Sequence, residues 1–162
     1  MIRNRISLAA FILILLAQSF APNMYLGFDL YMTPDIILVY MVYLSFIFDR
    51  YHIVLFGFIF GAFQDIVSQS NLLGLFALNK TIIGYVLGTI GLYDKIWNNQ
   101  VKILFIFFAF FMHFFIAYYM MYDRLLTPFS HIFKYSFFQS SLSMVLVLIA
   151  NRFILIDNKI IK

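Results

Sequence analysis

The chain has 162 residues, 64% of them hydrophobic, 21% aromatic and 11% charged, and its mean hydropathy is +0.95. A water-soluble domain carries roughly 25% charged residues because its surface must be wetted. The 11 Lys and Arg and 7 Asp and Glu found here cannot cover such a surface. Lipid is therefore the expected solvent, which excludes a cytosolic enzyme, a nucleic-acid reader and, with no cysteine present, a disulfide-stapled secreted scaffold.

A membrane-crossing helix needs about 20 mostly apolar residues. The chain is accordingly read as one all-α transmembrane domain over residues 1–162, with about six helices in one bundle. The expected spans are Ile6–Ala21, Asp35–Phe48, His52–Ile66, Leu72–Tyr93, Ile103–Tyr122 and Ser136–Ile156. Arg3 and Arg5 ahead of an apolar run also suit a cleavable signal, with Ala17-Gln18-Ser19 or Ser19-Phe20-Ala21 as the small-residue site. That run is longer than the roughly 7–15 residues of a signal core, so span one is expected to be retained.

Thr33-Pro34-Asp35 reads as N-cap, first-turn proline and first-turn carboxylate of span two. Spans two and three are short, and a single re-entrant hairpin over Asp35–Ile66 is the alternative. Asp49-Arg50 is a tight polar turn. Ser68-Gln69-Ser70-Asn71 is a polar break, with Asn71 a candidate cap for span four. Asp94 through Lys102, with Trp97, is an interfacial loop, and Thr127-Pro128 lies in the last one.

Six crossings with the N-terminus inside put Arg3, Arg5, Arg50, Lys95, Lys102, Arg152, Lys159 and Lys162 on the cytoplasmic side. Arg124 and Lys134 fall outside and Lys80 within a span. This asymmetry follows the positive-inside rule, so both termini are expected to be cytoplasmic.

An ionisable group in the bilayer costs about 2.5–3.5 kcal/mol on insertion scales, so each needs a reason. Asp65, near the end of span three, and Lys80, within span four, are the two candidates, with Gln64 and Asn79 beside them. Lys80 is about 12 Å down a helix starting at Leu72. Pairing with Asp65 would need the lysine to snorkel, or span four to start nearer Leu78. Such a pair reads more readily as structural than as a transport relay, which would show several acids, and the chain has no Glu.

Gly57 and Gly61 on span three, continued by Asp65, and Gly84 and Gly88 on span four, preceded by Lys80, form two small-residue stripes. Helices gain little from apolar burial in lipid, and close backbone approach at glycine holds them together. Spacing leaves open whether the stripes pack internally or against another protein. His113 among phenylalanines reads as a core or interface residue. Gln139, Ser140, Ser141 and Ser143 suggest hydrogen bonds between helices. No metal-ligand spacing, phosphate loop or nucleophile motif is present, so neither cofactor nor catalysis is expected.

The stretch from Thr33 to Tyr93 resembles the rod shape-determining membrane protein family MreD. The resemblance rests on Pro34-Asp35 before an apolar helix, Gly57 through Gly61 to Asp65, a short polar break, then Leu73-Gly74-Leu75-Phe76-Ala77-Leu78-Asn79-Lys80-Thr81 and Gly84-Tyr85-Val86-Leu87-Gly88. It implies a non-catalytic scaffold of the cell-elongation (rod) complex in the bacterial inner membrane, needed for cell shape and side-wall peptidoglycan synthesis. The implied partners are MreC and, through it, the MreB filament, the shape-type glycosyltransferase and its transpeptidase. Asp65, Lys80, Gly57, Gly61, Gly84, Gly88, Pro34 and Asp35 would be the structural or partner-binding residues. The family's fold is similar to the substrate-binding subunits of energy-coupling-factor vitamin transporters. That kinship supplies the alternative expectation of a small-molecule pocket near Tyr85, Asn79 and His113.

Overall fold

The computed structural model describes residues 13–14, 16–18, 20, 24–25, 31–68, 72–122 and 127–153. Most of the first expected span, the Gln69–Asn71 break, Arg124, Lys159 and Lys162 lie outside the described residues. The described chain is helical apart from a minimal ribbon, β1 (Met24–Tyr25) paired antiparallel with β2 (Tyr31–Met32), Met24 opposite Met32. Residues 13–14 and 16–18 are helical (α1), followed by α2 (Ile36–Ser45), α3 (Arg50–Ser68), α4 (Leu75–Leu92), α5 (Asn99–Met121) and α6 (Phe129–Phe153).

Helices α3, α4, α5 and α6 are long and apolar enough to cross a membrane. The second expected span, Asp35–Phe48, already short, is shorter still. Helix α2 has 10 residues, about 15 Å at 1.5 Å per residue, or half of a roughly 30 Å hydrocarbon core. Asp35 caps it and Phe46 closes it through backbone bonds to Leu44 and Tyr43. The neighbouring span is longer than expected, because the carbonyl of Asp49 accepts from His52 and Ile53 and starts α3 at Arg50. Helix α3 is thus long and apolar enough to cross on its own, and α2 is not. Helices α5 and α6 also begin upstream of the expected Ile103 and Ser136. The carbonyl of Pro128, whose φ is already helical, accepts from His131 at 2.9 Å.

Helix α3 packs along the whole of α4, and α4, α5 and α6 follow as neighbours. Helix α2 lies inside, against α3, α4 and α6. It is apolar all round, as a fully enclosed helix should be. Its Ile37, Leu38, Met41 and Val42 meet Ile53, Phe60, Ile83, Leu87, Ile106 and Phe110 in one core. The opposite faces of the long helices expose Leu55, Phe58, Leu78, Ile82, Leu104, Phe108, Val145 and Leu148. An apolar outside around a core that holds the charged groups is the arrangement expected in lipid.

The glycine stripes resolve as an internal seam. A Cβ at Gly57 would run into the carbonyl oxygen of Lys80, and one at Gly61 into the backbone of Phe76 and Ala77. A Cβ at Gly84 would lie 2.7 Å from the Ile53 carbonyl oxygen, and one at Gly88 2.8 Å from the Arg50 Cα. Ascending positions on α4 meet descending positions on α3, so the two helices are antiparallel and in backbone contact over their length. Gly91 extends the seam to the carbonyl of Ser45 at the end of α2.

Candidate functional site: a buried ion pair at a broken helix start

The chain enters α2 from non-helical backbone, and Asp35 stands at the junction. Its Oδ1 accepts the N–H of Leu38 at 2.9 Å, which is the N-cap geometry. The cap is therefore Asp35, not Thr33 as the sequence suggested. Asp35 itself has the extended backbone of an N-cap, φ −89° and ψ 90°, so the helix starts at Ile36 and Pro34 lies ahead of it. The other oxygen, Oδ2, accepts from Lys80 Nζ of α4 at 2.5 Å. His113 Nε2 of α5 lies 3.5 Å from the same oxygen. Lys80 has no solvent exposure, and Asp35 and His113 are 4% and 1% exposed.

This corrects the expected partnership of Lys80 with Asp65. Both oxygens of Asp65 are engaged elsewhere: Oδ1 accepts from Phe76 N–H at 3.0 Å and Oδ2 from Ala77 N–H at 2.9 Å. A carboxylate on α3 thus caps the first turn of α4. That turn needs an outside cap because its own N-cap residue is Gly74, at φ +92° and with no side chain. The two carboxylates do the same job on two helices, and only Asp35 has an oxygen left for the lysine.

Buried backbone groups must be satisfied by protein, and two glutamines serve the segment leading into α2. Gln18 Nε2 donates to the Pro34 carbonyl at 3.2 Å, and its Oε1 accepts from Ile36 N–H at 2.7 Å. Gln139 Nε2 of α6 donates to the Thr33 carbonyl. Asn79 Nδ2 donates to the His113 carbonyl at 2.7 Å, tying α4 to α5. The serines of α6 behave differently from expectation. Ser136, Ser140 and Ser141 bond back to carbonyls of their own helix, a local pattern open to any helical serine, and only Gln139 of that polar run reaches across.

Beside this junction lies a cavity of about 180 Å³, reaching Gln18, Thr33, Asp35, Gln64, His113 and Gln139, with Phe76, Phe114 and Tyr118 on its walls. At the opposite end of α3, the Arg50 guanidinium lies 4.8 Å from the Tyr85 ring centroid, a cation–π contact. Lys102 bonds Asp94 at 2.5 Å across the turn between α4 and α5.

Of the expected site residues, Asp35, Lys80, Asp65, Gly57, Gly61, Gly84 and Gly88 all fall in the α2–α3–α4 unit, and Pro34 precedes its first helix. Sequence reasoning missed the role of Gln18; it expected Gln139 to bond across to another segment, but not that the partner is the Thr33 carbonyl ahead of α2. The one signal available was an amide within an apolar stretch, which has no partner in the sequence to point to. Among the described residues no group of three His, Cys, Asp or Glu is placed to hold a metal ion. Comparison with protein-family models, curated proteins and solved structures finds no match to this chain.

Proposed function

We propose that this protein is a non-catalytic, multi-pass subunit of the bacterial cell-elongation complex, with the role of the MreD family. In this reading it lies in the inner membrane with both termini cytoplasmic. It binds MreC and, through it, serves the MreB filament, the shape-type glycosyltransferase and its transpeptidase in side-wall peptidoglycan synthesis. The observation that carries the reading is the convergence of the MreD-like residues. Pro34 and Asp35, Gly57 and Gly61, Asp65, Lys80, Gly84 and Gly88 are scattered over fifty residues of sequence, yet they form or adjoin one packed unit. A motif of this kind fixes the shape of a hairpin.

The glycines are in contact with backbone of the same chain, so their part in assembly is to hold the geometry of the partner-facing surface. That surface is the outer face of α3, with Leu55, Phe58, Ile59, Phe63 and Ile66 exposed. Helix recognition in lipid proceeds by close packing of such preformed faces, and a rigid hairpin loses little freedom when it docks.

The test is affinity purification of the tagged protein from gently solubilised bacterial membranes. MreC is expected to co-purify with the unaltered chain. Gly61→Leu should reduce that yield while the protein stays in the membrane fraction. Absence of MreC even after crosslinking in intact membranes would refute the assignment.

A further inference from the structure

The cavity beside the α2 junction holds more acceptor atoms than the protein itself satisfies, and its surroundings fix what kind of group can satisfy them. Gln139 is 3% exposed, and its Nε2 is held by the Thr33 carbonyl, so the side-chain oxygen can only point the other way. Among the described residues that Oε1 has no partner. Gln64 Oε1 has none either. His113 faces the Asp35 carboxylate with Nε2, which places the ring proton there in the neutral tautomer and leaves Nδ1, also without a partner, as an acceptor. All three residues line the cavity. Buried acceptors left unpaired cost about 1–3 kcal/mol each, so three on one cavity of about 180 Å³ mark a place built for donors.

Charge narrows the class. Asp35 is matched by Lys80 and by the amide end of α2, and Asp65 by the amide end of α4. Each helix N-terminus carries about half a positive charge, so the two carboxylates, the lysine and the two helix ends sum to about zero. Among the described residues the site has no net negative charge to draw in an amine and no free cation to hold a phosphate. The walls, Phe76, Phe114 and Tyr118, are aromatic, suited to the C–H face of a ring. Of its lining, Gln64, Phe76 and Met121 lie where α3 and α5 end and α4 begins, at one end of the bundle.

We propose that this cavity binds a neutral, multiply hydroxylated group the size of one sugar ring, carried either on a lipid headgroup or on a free glycoside. The proposal stands on the cavity alone and does not depend on the elongation reading.

The experiment uses the full chain in phosphatidylcholine nanodiscs, with thermal unfolding as readout. One arm adds monogalactosyldiacylglycerol to the bilayer; the other adds soluble methyl β-D-galactoside. A saturable rise in unfolding temperature is expected in at least one arm. Protection by the lipid alone identifies a headgroup, and protection by the glycoside as well identifies the free sugar. Gln64→Leu removes an Oε1 that has no partner among the described residues and should weaken the effect about five-fold, the loss of one ordinary hydrogen bond. Ala117→Phe, on the cavity wall, should abolish it. Protection in neither arm, or an undiminished effect in both variants, would overturn the proposal. So would stronger protection by soluble choline than by either galactose probe.

Discussion

Adding a single methyl group at Gly61 sets two effects against each other. In an ordinary helix interior, Gly→Ala stabilises by about 1 kcal/mol through backbone entropy. At Gly61 the new Cβ would collide with the Phe76 carbonyl and lie 2.6 Å from the Ala77 nitrogen. Both are backbone atoms and cannot rotate away, so α3 and α4 must separate. Overpacking of this kind costs typically about 1–3 kcal/mol. The strain also pulls at the Ala77 N–H that Asp65 holds at 2.9 Å. With backbone atoms that cannot yield the cost lies toward the upper end, so the steric term wins and Gly61→Ala should lose up to about 2 kcal/mol net, with Gly61→Leu losing more. Unfolding in mixed micelles gives the magnitude. The chain has no native cysteine, so a cysteine pair at Val54 and Tyr85, which line one groove between α3 and α4, reports their separation by a slower crosslinking rate. Gly74→Ala is the comparison: its φ is +92° and nothing lies within 4 Å, so it should strain the turn without parting the helices. A Gly61→Ala protein as stable as the parent, with unchanged crosslinking, would refute the seam.

Three further outcomes follow from the polar contacts. Asp65→Ala removes the cap from α4 and should cost about 1–2 kcal/mol, seen as faster hydrogen exchange at Phe76 and Ala77; unchanged exchange there would contradict the cap. Gln139→Leu strands the Thr33 carbonyl and should lose about 1–3 kcal/mol, whereas Ser141→Ala, which breaks only a bond to its own helix, should be close to neutral in the same unfolding assay. Lys102→Met breaks a pair whose aspartate is 41% exposed, so it should change stability by less than about 1 kcal/mol; a larger loss would show that the turn between α4 and α5 is less hydrated than its exposure indicates.

Helices α3 to α6 were legible because each is a long apolar run bounded by polar or proline-containing turns. That Gly57, Gly61, Gly84 and Gly88 mark faces of close backbone approach was legible too, from their four-residue spacing. Their use inside the chain was not, because a stripe does not say what covers it. The start of α2 at Asp35 and its shortness were legible, but not its end at Ser45: Phe46, Ile47 and Phe48 are as apolar as the helix, and the bonds from Phe46 back to Leu44 and Tyr43 that close it leave no mark in the sequence. Asp65 and Lys80 look like a pair in sequence because they flank one turn. The backbone amides of Phe76 and Ala77, invisible in a list of side chains, claim Asp65 first.

The Asp35–Lys80 tie at the start of a half-helix is the central physical claim, and a double-mutant cycle tests it most directly. Asp35→Asn keeps an oxygen for the Leu38 N–H and removes the charge; Lys80→Met keeps the stem and removes the ammonium. Each single change leaves a buried, unmatched partner and should cost about 3–5 kcal/mol in reversible unfolding. The double change should cost at least about 2 kcal/mol less than the two singles combined. Additivity within about 0.5 kcal/mol, or a Lys80→Met protein no weaker than one altered at the exposed Lys134, would contradict it.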